Sequence, residues 1–313
     1  MHISKKLIWV LAVCCQTKKT LAIWLDSLIG DLRSNMFKYF ITHKRGETDD
    51  GIQDSVAFDL SSGRFAISDG VTQSFIPQIW SKTLVDYFIN NQSDKLVIGD
   101  ELLDEFVRAR EIFLNSLDEE QLFYQELVEE DDELKIARAT FAGLQIINHE
   151  ISWQVIGDSC IFIIPTNGQI KCKSSITSII DSEGHLEMKF DNHPNYIASD
   201  GTIKGNILEG KDFLDSGWIV LMTDAISDWF VKQYNLGAAP LEQLLKLENN
   251  SDFDQLVDNE CRLGRMKSDD TSVILISISN DDALKKTDHD IELTKKEIDY
   301  DELYAQILPL WMI

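Results

Sequence analysis

Seven short apolar runs, at 55–60, 64–68, 140–147, 151–156, 160–164, 218–223 and 272–278, set the strongest limit on what this 313-residue chain can fold into. Each is bounded by turn residues and is shorter than a buried helix, so each reads as a strand. Helical stretches lie between them. Residues 76–91, IPQIWSKTLVDYFINN, place Ile79, Leu84, Tyr87 and Phe88 at about helical spacing, and 100–137 is long, charged and helix-friendly. The acidic part of that second stretch, DEEQLFYQELVEEDDEL, reads as a solvated helix face. Runs of strands separated by whole helical blocks specify antiparallel sheets flanked by helices, an α+β sandwich.

The ends of these strands carry acids. DSVAFDLSSGRFAISDG (54–70) reads as a hairpin turning at Ser61-Ser62-Gly63, and antiparallel pairing about that turn sets Asp54 opposite Asp69. A second hairpin, TFAGLQIINHEISWQVIGDS, ends its second strand at Gly157-Asp158. The strand 218–223 runs into Asp224, and the strand 272–278 follows Asp269-Asp270. Asp and Gly are poor strand residues, so any one of these is most simply a solvated turn. Together they have a different consequence. Carboxylates that converge on one sandwich edge repel one another and are driven to bind protons unless a cation sits among them. Hard divalent ions such as Mg²⁺ or Mn²⁺ prefer such oxygen ligands. Two of them about 4 Å apart acidify a bridging water and neutralise a phosphoryl group.

Composition narrows the partners. The 53 acidic residues against 29 basic give a formal net charge of −24, which argues against a nucleic-acid backbone and against docking on anionic membrane by charge alone. The five cysteines (Cys14, Cys15, Cys160, Cys172, Cys261) have an odd count and no CxxC spacing, so they form neither a zinc nor a disulfide framework. A reducing, cytoplasmic location fits, with Cys160 as a small core residue. The first stretch, MHISKKLIWVLAVCC, imitates a signal peptide, but its apolar run is too short to span a membrane and QTKKT follows it. The expectation is a membrane-touching or partner-binding N-terminal helix over 1–37, with secretion as the alternative. Residues 38–280 are dense and globular, and 281–313 form an acidic tail that ends in the apolar LYAQILPLWMI.

Six blocks occur in order: QDS (53–55), SDG (68–70), AT (139–140), GDS (157–159), MTDAISD (222–228) and DDTSVILI (269–276). Over roughly residues 38–280 they resemble the metal-dependent protein phosphatase family, protein phosphatase 2C (PPM-type), with this chain a divergent member. The resemblance implies a four-layer αββα fold built on a central sandwich of two antiparallel sheets. It also implies hydrolysis of phosphoserine and phosphothreonine by a metal-activated water at a binuclear Mn²⁺/Mg²⁺ centre, without a covalent phosphoenzyme. By this resemblance Asp69 bridges both ions and Gly70 offers its carbonyl to one of them. Asp224 and Asp269 are metal ligands, Asp54 lies close to the metals, and Asp158 is associated with a third, looser ion. The substrate would be a phosphorylated protein, the enzyme paired with a serine/threonine kinase.

There are departures. Asp49 stands where the family often carries an arginine that holds substrate phosphate, and His43, Lys44 and Arg45 are the candidates to replace it. VTQSF follows Asp69-Gly70 in place of a glycine- and histidine-rich run, and Ala225 replaces a usual glycine. Two rival readings follow: a pseudophosphatase that keeps the fold for binding or regulation, and an acidic α+β interaction protein whose strand-end acids coincide by chance. Other conspicuous residues have plain explanations. His149 falls in a predicted turn and His193 in a loop, Trp218, Trp229 and Phe230 suit a core, and neither Ser61 nor Ser159 has a nearby base pattern to make it a nucleophile.

Overall fold

The computed structural model describes residues 37–90, 102–127, 135–176, 178–181, 185–190 and 193–279. The readings placed on the N-terminal segment, on Cys14 and Cys15, on the acidic stretch 128–134 and on the C-terminal tail lie outside these residues.

In chain order the strands are β1 (Phe37–Thr42), β2 (Ser55–Asp59), β3 (Arg64–Ser68), β4 (Arg138–Ala139), β5 (Phe141–Ile147), β6 (Glu150–Ile156), β7 (Cys160–Pro165) and β8 (Lys171–Lys173). They continue with β9 (Ser178–Ile180), β10 (Leu186–Met188), β11 (Tyr196–Ala198), β12 (Ile203–Lys204), β13 (Leu208–Phe213), β14 (Gly217–Met222) and β15 (Thr271–Ile278). The helices are α1 (Pro77–Asn90), α2 (Leu102–Ser116), α3 (Glu119–Leu127), α4 (Asp224–Asn235), α5 (Pro240–Leu245) and α6 (Asn250–Arg262). All seven apolar runs are strands, and the 76–91 stretch is helical over Pro77–Asn90. The single charged stretch from residue 100 is broken at Leu117-Asp118 into α2 and α3, where Asp118 and Gln121 exchange side-chain to backbone hydrogen bonds.

Two five-stranded antiparallel sheets form the centre, one ordered β1-β15-β14-β7-β8 and the other β13-β6-β5-β3-β2. The period of two along each strand decides which layer a residue joins. Ile219 and Leu221 of β14 point inwards with Ile161, Ile163, Ile274 and Ile276, against Phe65, Ile67, Leu144 and Val155 of the other sheet. Val220 and Met222, one residue along, face the opposite way and pack on Ile226, Trp229 and Phe230 of α4 and Phe253 of α6. Ala66, Phe141 and Ile156 do the same on the second sheet, under Trp80, Leu84 and Phe88 of α1 and Phe113 of α2. The result is a helix–sheet–sheet–helix sandwich. Because the central strands are covered on both faces, they read as unbroken apolar runs rather than as alternation.

The polar atoms of the buried tryptophans are satisfied. Trp80 Nε1 donates to the Ile197 carbonyl at 2.9 Å, and Trp229 Nε1 donates to Glu260 at 2.9 Å. Cys160 is fully buried, and Trp218 is half-buried against the same cluster as Trp229 and Phe230. No helix among the described residues is long and apolar enough to cross a membrane.

Candidate metal centre

The β2–β3 register sets Ser55 opposite Ser68, so Asp54 and Asp69 leave the same end of their sheet side by side. The other sheet reaches this end through Met222 and Val273, which are also paired across strands, followed by Thr223 and preceded by Ser272. Thr223 joins the two sheets: its hydroxyl donates to Asp54 Oδ2 at 3.0 Å and accepts from the Ser272 amide at 3.0 Å. Thr223→Val keeps the shape but leaves a buried carboxylate oxygen and a buried amide unpartnered, so we expect a loss of about 1–3 kcal/mol in denaturant unfolding.

Asp69 is set by its backbone. Its amide donates to Thr140 Oγ1 at 3.1 Å and its carbonyl accepts from the Thr140 amide at 2.8 Å. The same Thr140 hydroxyl lies 2.7 Å from Ser159 Oγ, next to Asp158. Gly157 precedes that aspartate with φ +91°, and a Cβ there would stand 2.6 Å from Thr140 Cβ. The AT and GDS blocks are therefore one hydrogen-bonded corner that carries Asp69 and Asp158. Asp224 is the first residue of α4, after the extended Thr223.

Asp269 and Asp270 have different work. Asp270 is buried and accepts from the amides of Lys44 (2.9 Å) and Gln53 (2.7 Å), fastening the loops that precede β2. Asp269 turns the other way, with its Oδ2 2.7 Å from Lys267 Nζ.

The electrostatics report convergence. Burial, and then the charges of Asp54, Asp224, Asp158 and Asp269, hold the Asp69 carboxyl well above the usual carboxylate range. Burial also raises Asp54, opposed by the Ser272 and Thr223 hydroxyls and helped by the charges of Asp270 and Asp224. Asp224 is raised by burial and by Asp269, with Lys267 pulling back. Asp54 is 5% exposed and its Oδ1 has no hydrogen-bond partner. Asp158 is 2% exposed.

Lys267 is absent from the sequence reading. Its Nζ lies 3.3 Å from Asp224 Oδ2 as well as 2.7 Å from Asp269. Burial opposes its charge, but the two carboxylates outweigh burial and hold the ammonium above the usual lysine range. The one signal for it in the sequence is a lysine two residues before a strand-end aspartate.

Among the described residues, no three His, Cys, Asp or Glu side chains are gathered closely enough to ligate one ion as they stand. The donor chemistry still fits a hard divalent cation. The donors are carboxylates, they repel one another, and a buried Asp54 oxygen has no partner.

The basic candidates for a phosphate site are engaged elsewhere. Arg45 Nε lies 3.1 Å from Asp258 Oδ1, Lys44 pairs with Glu47 at 2.8 Å, and His43 Nε2 is 3.8 Å from Asp49. The Asp49 side chain is 91% exposed. His149 sits in the β5–β6 turn with φ +69°, its Nδ1–H donating to the Leu214 carbonyl at 3.0 Å.

No family model and no curated protein matches the sequence. Among solved structures, the chain is similar to a bacterial serine phosphatase at 14% identity, with 79% of this chain and 99% of that one covered and a TM-score of 0.47. It is similar to the serine/threonine phosphatase PstP of Mycobacterium tuberculosis at 18% identity, covering 78% and 99%, with a TM-score of 0.46. It is also similar to the serine/threonine phosphatase Stp1 of Staphylococcus aureus at 15% identity, covering 78% and 94%, with a TM-score of 0.45.

Proposed function

We propose that residues 38–280 form a metal-dependent protein serine/threonine phosphatase of the protein phosphatase 2C type. The observation that carries this reading is the strand-end corner itself: Asp54 and Asp69 leave one sheet side by side, Thr223 ties Asp54 to the strand that leads into Asp224, and Thr140 ties Asp69 to the turn that carries Asp158. Asp69, the Gly70 carbonyl, Asp224 and Asp269 would hold two Mn²⁺ or Mg²⁺ ions, with Asp54 beside them and Asp158 serving a weaker third. Bound there, such ions would acidify water and neutralise the phosphoryl oxygens of a phosphoserine or phosphothreonine. The chain's own part is positional. Thr140 fixes the backbone of Asp69, Thr223 orients Asp54, and the first turn of α4 presents Asp224.

The proposed substrate is a phosphorylated protein, with a serine/threonine kinase as the opposing enzyme. Membrane contact through the N-terminal segment belongs to the same proposal. A second reading, a pseudophosphatase, is favoured by the engagement of Arg45 with Asp258 and by Asp49 at the place of the missing arginine, since two parallel guanidinium hydrogen bonds are what a phosphate dianion needs.

One assay separates the two. We expect hydrolysis of p-nitrophenyl phosphate and of a phosphothreonine peptide with added Mn²⁺, and its loss on chelation. Protein that binds Mn²⁺ yet hydrolyses neither substrate is a pseudophosphatase, and turnover that survives thorough chelation removes the metal mechanism.

A further inference from the structure

This inference rests on the divalent-cation reading above and concerns Lys267. Its place is built into the fold. Arg265 forks onto Glu260 at 2.7 and 2.6 Å, Met266 is buried in the core cluster under the first sheet, and Cys261 Sγ donates to the Lys267 carbonyl at 3.4 Å. These anchors hold the Lys267 backbone while its half-exposed side chain carries Nζ between Asp224 and Asp269. The two acids that the family resemblance makes metal ligands therefore already share one counter-charge.

We propose that Lys267 is a tethered counter-cation that competes with the divalent ion for Asp224 and Asp269 and so sets the metal affinity of the centre. An ammonium is a compact, strongly hydrated charge on a flexible stem, so it can leave for solvent when a divalent ion takes the carboxylate oxygens. Leaving costs the two contacts, and any residual proximity repels the ion, so metal binding is weaker than the acids alone would give. Without metal, the same lysine keeps the acidic corner from driving itself apart.

The test uses the full chain stripped of metal, with calorimetric Mn²⁺ titration and thermal melting as readouts independent of activity. Lys267→Met should bind Mn²⁺ about tenfold more tightly or better, because a like charge close to the ion has been removed. It should also melt lower than wild type without metal and recover on Mn²⁺ addition. Lys267→Gln should move both readouts the same way, and Lys267→Arg should leave both near wild type. Unchanged or weaker Mn²⁺ binding in the Met and Gln variants overturns the proposal, as does an Arg variant that binds as tightly as Met. If wild type and all three variants fail to bind Mn²⁺, the metal-centre reading falls and takes this inference with it. If wild type binds as tightly as Lys267→Met, only the role of Lys267 falls.

Discussion

Asp69→Asn is expected to abolish measurable Mn²⁺ binding, to lower phosphatase turnover roughly a thousandfold, and to raise the melting temperature of the metal-free protein at neutral pH. The first two effects follow if Asp69 is the carboxylate shared between two ions, since one substitution then weakens both. The third comes from the repulsion at the site. Asp54, Asp69 and Asp224 are all held above the ordinary carboxylate value of 3.8 in the folded protein. Between that value and the raised ones, the folded state binds more protons than the unfolded state. Stability therefore falls as pH rises through this window. Metal-free wild type should melt higher near about pH 5 than near about pH 7.5, and Asp69→Asn should flatten that slope. The gain at neutral pH should be on the order of 2–4 °C for each kcal/mol of repulsion removed. Calorimetric titration and melting curves at the two pH values check all of this. Wild-type Mn²⁺ affinity in the variant would show that Asp69 is not the shared ligand.

Gly70→Ala should cost about 1–3 kcal/mol of stability and impair metal binding together. A Cβ at Gly70 would stand 2.7 Å from Pro77 Cβ, 2.9 Å from the Pro77 carbonyl carbon and 3.0 Å from the Gln53 carbonyl oxygen. Two of these three are backbone atoms, so the strain cannot escape through a rotamer. Gly70 also receives no slack from its neighbours: its amide donates to the Gln53 carbonyl at 3.2 Å, and it bridges to Ala139. Relief must come from moving the start of α1 or the chain around Asp54 and Asp69. A denaturant midpoint and a Mn²⁺ titration on the same preparation measure the two effects. A variant that loses stability but keeps full Mn²⁺ affinity would separate the Asp69 turn from the metal centre.

Much of the sandwich was legible because its signals are local. The 54–70 hairpin needs only a turn sequence and two flanking apolar runs, and its register then places Asp54 beside Asp69 without any distant contact. The strands β7, β14 and β15 are buried on both faces, and continuous apolar composition is how such strands appear in sequence. The edge strand β13, LEGKDF, was not legible. Its exposure pattern lets charged residues occupy it, so no apolar run marks it, and it is a strand only because β6 offers a free edge. The strand β1, FKYFIT, is apolar but was not read as a strand either; its partner β15 lies more than two hundred residues further along.

The sequence by itself determined that acids stand at the ends of several strands, since strand length and turn chemistry are properties of neighbouring residues. Only the tertiary structure decided what those acids meet. Thr223 reaches Asp54 across 169 residues, and Asp270 rather than Asp269 is spent on holding the Lys44 and Gln53 amides. Lys267 is brought between Asp224 and Asp269 by a chain return that leaves no local pattern. The physical reason is that carboxylate repulsion and its neutralisation act through space. Which charge answers which depends on loop closure, and loop closure is decided by the packing of the whole sandwich.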